Sequence, residues 1–416
     1  MKILYPAAYF QPENTALLRL EKDLLQALTG AGHTVETVCP IPSRGISSDT
    51  RRKYRKVREE TLYDGRVHVR RFWAPSEGKN PVLRAFRYFW CNFRTYQIGK
   101  KVRGADLIFS WSTPPTQGLL AGFLKKKLKC PVIYSLQDVF PDTLVIAGLA
   151  KRDSILWKIG RKVEDAAYRR ADRIVVISRD FQRNIMEKGV SAEKISLIYN
   201  WINEQEVYAV PREENPLYDE YGLPRDKFYV AYSGNIGHSQ NMDILLDAAR
   251  SLRDTREDIG FIIVGEGACR GHVEERIQSE GLRNVALLPF QPYEKISQVF
   301  SLGDVGLLIS KKGTSSHSVP VKTWSYLSAR RPVLASFDLD SELCRLLPEH
   351  GCGVCIEPDN AAALRDAVLR LAGERDKLPG MGERGREFIL QELTAGASMS
   401  KWLELMERVG NGDGNR

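Results

Sequence analysis

The chain has 416 residues, of which 43% are hydrophobic and 27% charged, a composition typical of a globular protein of two or three domains. It contains no run of about 18 apolar residues, and its start lacks the apolar segment of a signal peptide, so we expect neither a transmembrane helix nor secretion. The seven cysteines are scattered and odd in number, which argues against a disulfide framework and favours reduced thiols in the cytoplasm.

The net charge of +9 is unevenly distributed along the chain. Residues 1–203 carry 36 Lys and Arg against 19 Asp and Glu, a net +17, whereas the remainder carries −8. A basic half predicts an anionic partner, namely a membrane surface, a phosphorylated acceptor or nucleic acid, unless the basic surface has no partner. Cys352 and Cys355 form a CxxC pair without a second pair or a histidine at zinc spacing, so we expect no metal site.

The first half of the chain alternates strand and helix patterns. An apolar strand at 2–4 precedes a polar turn and an amphipathic helix in which leucines recur at helical spacing from Leu17 to Leu28. Further strands are predicted at 34–38, 107–110, 131–136 and 173–177. This βαβ order predicts a parallel sheet with helices on its faces.

The second half repeats the pattern after a linker at 204–226 that is rich in Pro, Glu and Asp. Strands are predicted at 228–232, 260–264, 286–288, 305–308 and 332–335, with one helix at 242–252 and a long charged helix at 382–409. The repeat predicts an α/β fold with two Rossmann-like, doubly wound domains that face a cleft, because ligands bind at the carboxyl ends of such strands.

Three strand-to-helix turns in the second half have the features of an anion site. Ser233–Gly237 and Gly265–Gly267 contain glycines that let the backbone approach an anion closely. In the third turn, Pro320 suits the first turn of a helix and Ser318 its N-cap. Lys322 lies in that first turn, where the helix dipole disfavours a cation unless an anion is bound. Taken singly, each turn is also compatible with an ordinary connection, and Lys322 with a surface lysine.

The ordered set of motifs resembles family 4 of the retaining glycosyltransferases, which share the two-domain GT-B architecture. The resemblance covers nearly the whole chain. It is carried by Met1-Lys2-Ile3-Leu4, Tyr9-Phe10-Gln11-Pro12-Glu13, Gly32-His33-Thr34-Val35, Asp172-Arg173-Ile174-Val175-Val176-Ile177-Ser178, Lys194-Ile195, Tyr199-Asn200, the three turns and Phe290-Gln291. The Gly-Asn-Ile-Gly turn and Gln137-Asp138-Val139-Phe140-Pro141-Asp142 are similar to those of bacterial surface-polysaccharide enzymes that transfer N-acetylated hexosamines or deoxyhexosamines from UDP.

The family resemblance implies an N-terminal acceptor domain at 1–203, a C-terminal nucleotide-sugar domain at 204–390 and a C-terminal helix at 391–416 that returns to the first domain. It also implies retention at the anomeric carbon without a metal or other cofactor. Lys322 would be the charge partner of UDP. The expected donor-binding residues are Gly234, Asn235, Gln240, Gly265, Glu266, Phe290, Gln291, Ser318, Val319, Pro320 and Glu342.

The chain departs from the family pattern around this donor site. The family commonly has two glutamates eight residues apart around the third turn, and His317 and Ser325 occupy those positions here. The Arg and Lys that often hold the diphosphate are replaced by Asn235 and Gln240. We therefore expect the diphosphate to be met by backbone N–H groups, by Lys322 or by a basic residue from the other domain, and Glu342 or Glu266 to serve near the ribose.

On the acceptor side, Asp138 follows a predicted buried strand, and Gln137 occupies the position where many relatives carry a histidine that contacts the donor sugar. Asp138 is the candidate for sugar positioning or acceptor deprotonation, and the alternative is a cap for the next helix. Glu13 and Asn14, in the loop after the first strand, are expected to contact the acceptor or the sugar.

Two segments of the first half combine basic with aromatic residues, a pattern that suits a membrane interface. They are the basic run at 51–56 and the stretch 83–101, from which Arg51, Arg52, Lys53, Arg87 and Trp90 are predicted to face the membrane. We expect a cytoplasmic enzyme attached peripherally to the inner face of the cell membrane. Its acceptor would be a polyprenyl-diphosphate-linked saccharide of O-antigen, lipopolysaccharide or capsule synthesis. The alternative for 83–101 is a partly buried helix with basic edges.

Two other functions fit parts of the sequence. A sugar-nucleotide epimerase of the same fold would need no acceptor and no membrane surface. A nucleic-acid-binding protein would fit the basic half, but no helix-turn-helix, zinc-finger or RNA-binding signature is present, so nucleic acid is not the expected partner.

Overall fold

The computed structural model describes residues 1–13, 16–75, 81–146, 148–315 and 320–412. The chain forms two compact α/β units, the first comprising Met1–Tyr199 with Ser398–Arg416 and the second Asn200–Ala397. The sequence predicts the second domain at 204–390. Each unit is built on a mainly parallel sheet, which confirms the predicted fold class.

The first unit contains an eight-stranded sheet among its described residues. Its elements are β1 (Lys2–Pro6), α1 (Ala16–Gly30), β2 (Thr34–Pro40), α2 (Ser48–Tyr54), β3 (Glu59–Leu62), β4 (Val67–Phe72), α3 (Pro81–Gly99), β5 (Leu107–Trp111), α4 (Gln117–Leu128), β6 (Val132–Ser135), α5 (Asp142–Ile146), α6 (Ile155–Arg170), β7 (Arg173–Val176), α7 (Arg179–Glu187) and β8 (Ile195–Leu197). The strand order is β3-β4-β2-β1-β5-β6-β7-β8, and β3 alone runs antiparallel to its neighbour.

Helices α3, α4 and α6 form one layer on this sheet. Their crossovers all advance in the same direction along the strand order, so right-handed connections put them on the same face. In agreement, α3 packs beside α4 and α4 beside α6. Glycine permits the close approach of α4 to α6, because a Cβ at Gly118 would lie 2.5 Å from the Cβ of Ala167.

The second unit contains a six-stranded, fully parallel sheet among its described residues, in the order β11-β10-β9-β12-β13-β14. Its elements are α8 (Leu217–Glu220), β9 (Phe228–Ser233), α9 (Met242–Leu252), β10 (Ile259–Val264), α10 (Arg270–Ser279), β11 (Val285–Leu288), α11 (Ile296–Phe300), β12 (Val305–Ile309), α12 (Lys322–Ser328), β13 (Val333–Ser336), α13 (Glu342–Glu349), β14 (Gly353–Ile356), α14 (Ala361–Gly373) and α15 (Leu378–Glu392).

The core of the second unit fixes the position of its central strands. Val230 of β9 and Phe261 of β10 are buried with Leu245 of α9 and Val368 of α14. Strands covered by helices on both faces are continuously apolar, which explains why β9 and β10 were recognised from sequence. Both strands end at the glycine turns described below.

The prediction of one long helix at 382–409 is wrong. The segment forms two helices, α15 and α16 (Ala395–Gly410), because the backbone N–H of Ile202 donates to the carbonyl of Leu393 and the Thr394 hydroxyl caps α16 by accepting the N–H of Ala397. Helix α16 belongs to the first unit, where Trp402 is buried between Phe109 and Trp111 at ring-centroid distances of 5.4 and 6.0 Å. The expected return of the C-terminal helix to the N-terminal domain is therefore confirmed.

Candidate active site

Two glycine turns lie backbone to backbone at the carboxyl ends of β9 and β10. The backbone N–H of Gly234 donates to Val264, and that of Ile236 donates to Glu266 at 2.8 Å. A Cβ at Gly265 would overlap the carbonyl oxygen of Gly234, and one at Gly267 would overlap that of Ile236. Gly234, Gly265 and Gly267 also have positive φ angles of 145°, 154° and 158°. Since side chains rarely adopt this backbone, the paired turns require glycine.

Lys322 brings a cation to these turns from the first residue of α12. A Cβ at Gly234 would lie 2.8 Å from its Nζ, and Nζ lies 3.9 Å from the ring centroid of Tyr232. Within the described ranges, Lys322 forms no ion pair with a carboxylate. Desolvation lowers the pKa of Lys322 to about 7, although the residue as a whole stays partly exposed. An anion bound beside Gly234 would favour the charged form of this lysine.

Two buried tyrosines that the sequence analysis missed hold the end of β9 in place. The Tyr232 hydroxyl donates to the carbonyl of Asn235 at 2.6 Å. The Tyr326 hydroxyl donates to Ala231 at 2.8 Å and accepts the N–H of Ser233 at 2.7 Å. Burial raises the pKa of both hydroxyls, so they remain donors. The spacing of four residues between Lys322 and Tyr326 was the available signal, because it puts both on one helical face.

The Gly265–Gly267 turn has a second, unpredicted brace in Arg270. Its guanidinium donates to the carbonyl of Gly265 at 2.6 Å and to that of Leu288 at 3.1 Å, which joins the ends of β10 and β11. It also lies 3.6 Å from the carboxylate of Glu266, a predicted donor contact that is exposed. The arginine therefore positions the turn and partly neutralises Glu266.

The remaining predicted donor residues are near these turns or along the same edge. The amide of Asn235 donates weakly to Gln240 at 3.5 Å, so these two replacements for charged family residues contact each other. Gln291 is buried and donates to the hydroxyl of Tyr221 at 2.8 Å, whereas Phe290 is exposed. An exposed aromatic ring at this edge is available for stacking on a base.

Glu342 is buried at the first position of α13, following the N-cap Ser341. The nearby Asp338 accepts the N–H of Gly313 at 2.7 Å and that of Ser315 at 2.9 Å, which fixes the chain just before the third turn. Ser318 and Val319 lie outside the described residues, as does His317. Helix α12 begins at Lys322, so the expectation that Pro320 occupies its first turn is wrong; Pro320 precedes the helix, and its carbonyl accepts the N–H of Thr323.

In the first unit, Gln137 and Asp138 follow β6 at the carboxyl edge of the sheet. The backbone N–H of Gln137 donates to the hydroxyl of Ser112 at 2.9 Å. Helix α5 begins only at Asp142, and the Asp138 carboxylate has no hydrogen bond or ion pair within the described part of the chain, so the alternative of a helix cap is wrong. Desolvation by neighbouring groups raises the pKa of Asp138 to about 6, although the residue as a whole is exposed.

The carboxylate of Glu13 is fully engaged with the backbone. It accepts N–H groups of Ser43 at 2.7 Å, Arg44 at 2.9 Å and Phe10 at 3.1 Å. Burial raises its pKa against the opposing effect of these donors. These contacts hold the loop after β1, and Asn14 lies outside the described residues.

One of the five predicted membrane-facing residues is misassigned. Arg87 is only 2% exposed, and its guanidinium donates to the Pro75 carbonyl and to the Ser43 hydroxyl at 3.2 Å, so it is a buried brace between loops. Trp90 is half-buried and donates to the carbonyl of Trp73 at 3.0 Å. The other three, Arg51, Arg52 and Lys53, are exposed on α2.

Among the described residues, no group of three or more His, Cys, Asp or Glu side chains is arranged to hold a metal ion. Across the same residues, no helix has both the length and the apolar character needed to span a bilayer.

Comparison with known proteins gives two family matches. The model of the glycosyl transferase 4-like domain matches residues 22–201, and that of the glycosyl transferases group 1 matches residues 215–388. The chain is 26% identical to the probable glycosyltransferase WbjE of Pseudomonas aeruginosa, over 79% of each chain. It is also 26% identical to the putative colanic acid biosynthesis glycosyl transferase WcaI of Escherichia coli (strain K12), over 89% of this chain and 92% of that relative.

Among solved structures, Anabaena HepE in complex with UDP-glucose is similar, with a TM-score of 0.70 and 16% identity over 98% of this chain and 99% of that chain. At this level of identity the likeness concerns the fold.

Proposed function

Because the chain belongs to family 4 of the glycosyltransferases, with the GT-B fold, we propose that it transfers a sugar from a UDP-sugar to a lipid-linked saccharide, with retention at the anomeric carbon. The sugar is an N-acetylated hexosamine or deoxyhexosamine, and the product enters a bacterial surface polysaccharide. The name of the E. coli relative, which refers to colanic acid biosynthesis, and the UDP-glucose held by HepE support this proposal.

The observation that carries the proposal is the cation at the paired glycine turns. In the transfer, the bond between the anomeric carbon and the diphosphate breaks, and negative charge grows on the leaving UDP. Fixed N–H groups and a cation stabilise such charge without reorganising at the moment of reaction. The paired glycine turns fix the backbone at this edge, and Lys322, whose Nζ lies beside Gly234, supplies the charge, without a metal ion. Glu266, Gln291, Phe290 and Glu342 would contact the base and ribose.

On the acceptor side, Asp138 positions the sugar or takes the proton from the acceptor hydroxyl. A general base works best when its pKa is near the operating pH, and a carboxyl with a pKa of about 6 is closer to that condition than an ordinary aspartate. Its position after β6 is supported by the general rule that ligands bind at the carboxyl ends of parallel strands.

Membrane attachment is supported by exposed apolar side chains on and beside α3, named here the α3 patch. Trp73, Leu83, Phe86 and Phe89 are each more than half exposed. Exposed aromatic and aliphatic groups on a basic domain are typical of proteins that lie in a membrane interface. A lipid-linked acceptor would be met there, at the inner face of the cell membrane.

A thermal-shift screen against UDP-, GDP- and dTDP-sugars tests the donor. We expect UDP-sugars to raise the melting temperature of the wild type and of Lys312→Ala, an exposed-lysine control, but to raise that of Lys322→Ala much less. A shift with GDP-sugars alone would refute the UDP assignment. Incubation with a UDP-sugar and no acceptor checks the reaction class, because accumulation of an isomerised sugar would indicate an epimerase instead.

A further inference from the structure

A second exposed apolar surface lies at the start of α6, away from α3. Leu149, Ile155, Leu156 and Ile159 are each more than half exposed, and Ile155 reaches 81%. We name these four residues the α6 patch. On α6, Ile155, Leu156 and Ile159 fall within about 100° of the helix circumference, so they form one continuous apolar strip. Single exposed apolar residues need no explanation, but a contiguous group marks an interaction surface.

Cations surround the α6 patch. Lys151, Arg152, Lys158 and Lys162 are exposed, and none of them is paired with a carboxylate within the described residues. Asp153 is the acidic residue between them. Apolar side chains bordered by unpaired Lys and Arg complement a bilayer with anionic headgroups. A second copy of the chain fits less well, because a two-fold contact through this patch would bring like charges together.

The α6 patch is attached directly to the segment that carries Asp138. The indole N–H of Trp157 donates to Asp142 at 3.3 Å, and Lys188 holds the other carboxylate oxygen of Asp142 at 2.7 Å. A Cβ at Gly160 would lie 2.7 Å from the Cβ of Pro141, so glycine lets α6 pack against the turn after Asp138. Movement of the start of α6 would therefore be transmitted to that turn.

The topology brings the α6 patch and the α3 patch to the same edge of the first unit. Helices α3 and α6 lie in one layer on the sheet, and each begins at the carboxyl end of the strand that precedes it. The α3 patch occupies the beginning of α3 together with Trp73 just after β4, and the α6 patch occupies the beginning of α6 and the loop before it. Asp138, directly after β6, lies at that edge as well.

We propose that the α6 patch is a second membrane-binding element, which seats the carboxyl edge of the first unit on an anionic bilayer next to Asp138. This inference rests on the proposed membrane attachment and extends it. With both patches in the bilayer, the acceptor headgroup would meet Asp138 at the membrane surface, whereas the α3 patch alone would leave the Asp138 segment free to tilt away.

The test is flotation of the full chain with vesicles of phosphatidylethanolamine and phosphatidylglycerol, compared with vesicles of phosphatidylcholine. We expect Ile155→Asp/Ile159→Asp to lower partition onto the anionic vesicles at least about tenfold, because two apolar side chains no longer leave water. Lys158→Gln/Lys162→Gln, which removes two positive charges, should lower it by about 25-fold at low salt, since each basic residue near an anionic surface contributes about fivefold.

The control Met186→Asp/Leu390→Asp makes the same apolar-to-acidic change at two exposed sites outside both patches and should bind like the wild type. Equal melting temperatures of all variants would show that folding is intact. Wild-type protein that stays unbound would refute the proposed membrane attachment. Wild-type binding with an unaffected Ile155→Asp/Ile159→Asp variant would overturn the α6 proposal alone. If light scattering shows that the wild type forms dimers and that Ile155→Asp/Ile159→Asp does not, the α6 patch would be an interface between copies of the chain, and this result would also overturn the α6 proposal.

Discussion

Lys322 makes the proposed donor site sensitive to pH in a way that can be calculated. With a pKa of about 7, its ammonium is charged below neutral pH and progressively neutral above it in the free protein. The diphosphate of a UDP-sugar is anionic throughout, and it favours the charged lysine. Binding therefore takes up a proton above pH 7, and affinity is full at lower pH and lost as the pH rises through about 7.

The size of the effect follows from the fraction of charged lysine. If only the protonated form binds well, the apparent Kd for UDP-glucose rises about tenfold between pH 6 and pH 8, and binding at pH 8 takes up nearly one proton. Lys322→Met removes both the charge and its titration. At pH 6 this variant should bind about ten- to hundredfold more weakly than the wild type, the loss expected for a charged hydrogen bond. At pH 8 the difference should be about tenfold smaller than at pH 6, because the wild-type protein has then lost most of its charged lysine.

Isothermal titration calorimetry with UDP-glucose in buffers of different ionisation enthalpy measures both the Kd and the proton uptake. Lys312→Met is the matched control, because it makes the same change at an exposed lysine and should keep the wild-type profile. A wild-type Kd that does not change from pH 6 to pH 8 would refute the argument. A dependence of the Kd on pH that persists in Lys322→Met would also refute it, because a group other than Lys322 would then be titrating.

Three further predictions follow from the structure. Gly265→Ala should abolish UDP-glucose binding and lower the free energy of unfolding by at least about 1–3 kcal/mol, because the new Cβ overlaps the Gly234 carbonyl and the backbone there is strained for a side chain. In the control Gly271→Ala the new Cβ lies in open space, so calorimetry should show unchanged binding and thermal melting unchanged stability. The wild-type transfer rate should rise with pH through about 6 as Asp138 ionises, and a rise that survives in Asp138→Asn would exclude this base. Trp402→Ala should lower the free energy of unfolding by about 3–5 kcal/mol in urea titration, and an unchanged midpoint would contradict its buried position.

Helices and strands could be predicted where the order of apolar and polar residues within the segment reflects which of its faces are buried. Helix α9 was predicted with the bounds 242–252 that the structure has, and β9 and β10 differ from prediction by one residue each. Strand β4 was missed because the alternation of apolar and polar residues from Val67 to Arg70 is broken at Arg71, a charged residue where the pattern requires an apolar one. Arg71 is nevertheless buried, and it pairs with Glu60 on the neighbouring β3. It also donates to the carbonyl of Gln11 and lies over the ring of Tyr54, and a single segment does not reveal such contacts.

In the candidate site, too, features set by the local backbone could be predicted from the sequence, and features set by distant residues could not. The glycine turns were found because a backbone of positive φ demands glycine, which is a local property. The role of Tyr232 depends on its contacts with Lys322 and Asn235, and the burial of Arg87 depends on Ser43 and Pro75. Such roles are decided by residues distant in sequence. Charge alone therefore identified Arg51 as exposed and misassigned Arg87, although the two look equivalent in the sequence.

The opposite net charges of the two halves have different consequences for the two proposed partners. At physiological ionic strength, charges in water are screened within about 8 Å. The overall negative charge of the second half therefore has little influence on a diphosphate, whose binding would depend on the groups that touch it, namely the glycine turns and Lys322. A bilayer, in contrast, contacts many basic residues at once and sums their small contributions. Donor recognition should consequently be sensitive to one lysine, and membrane binding to the number of basic residues near the α3 and α6 patches.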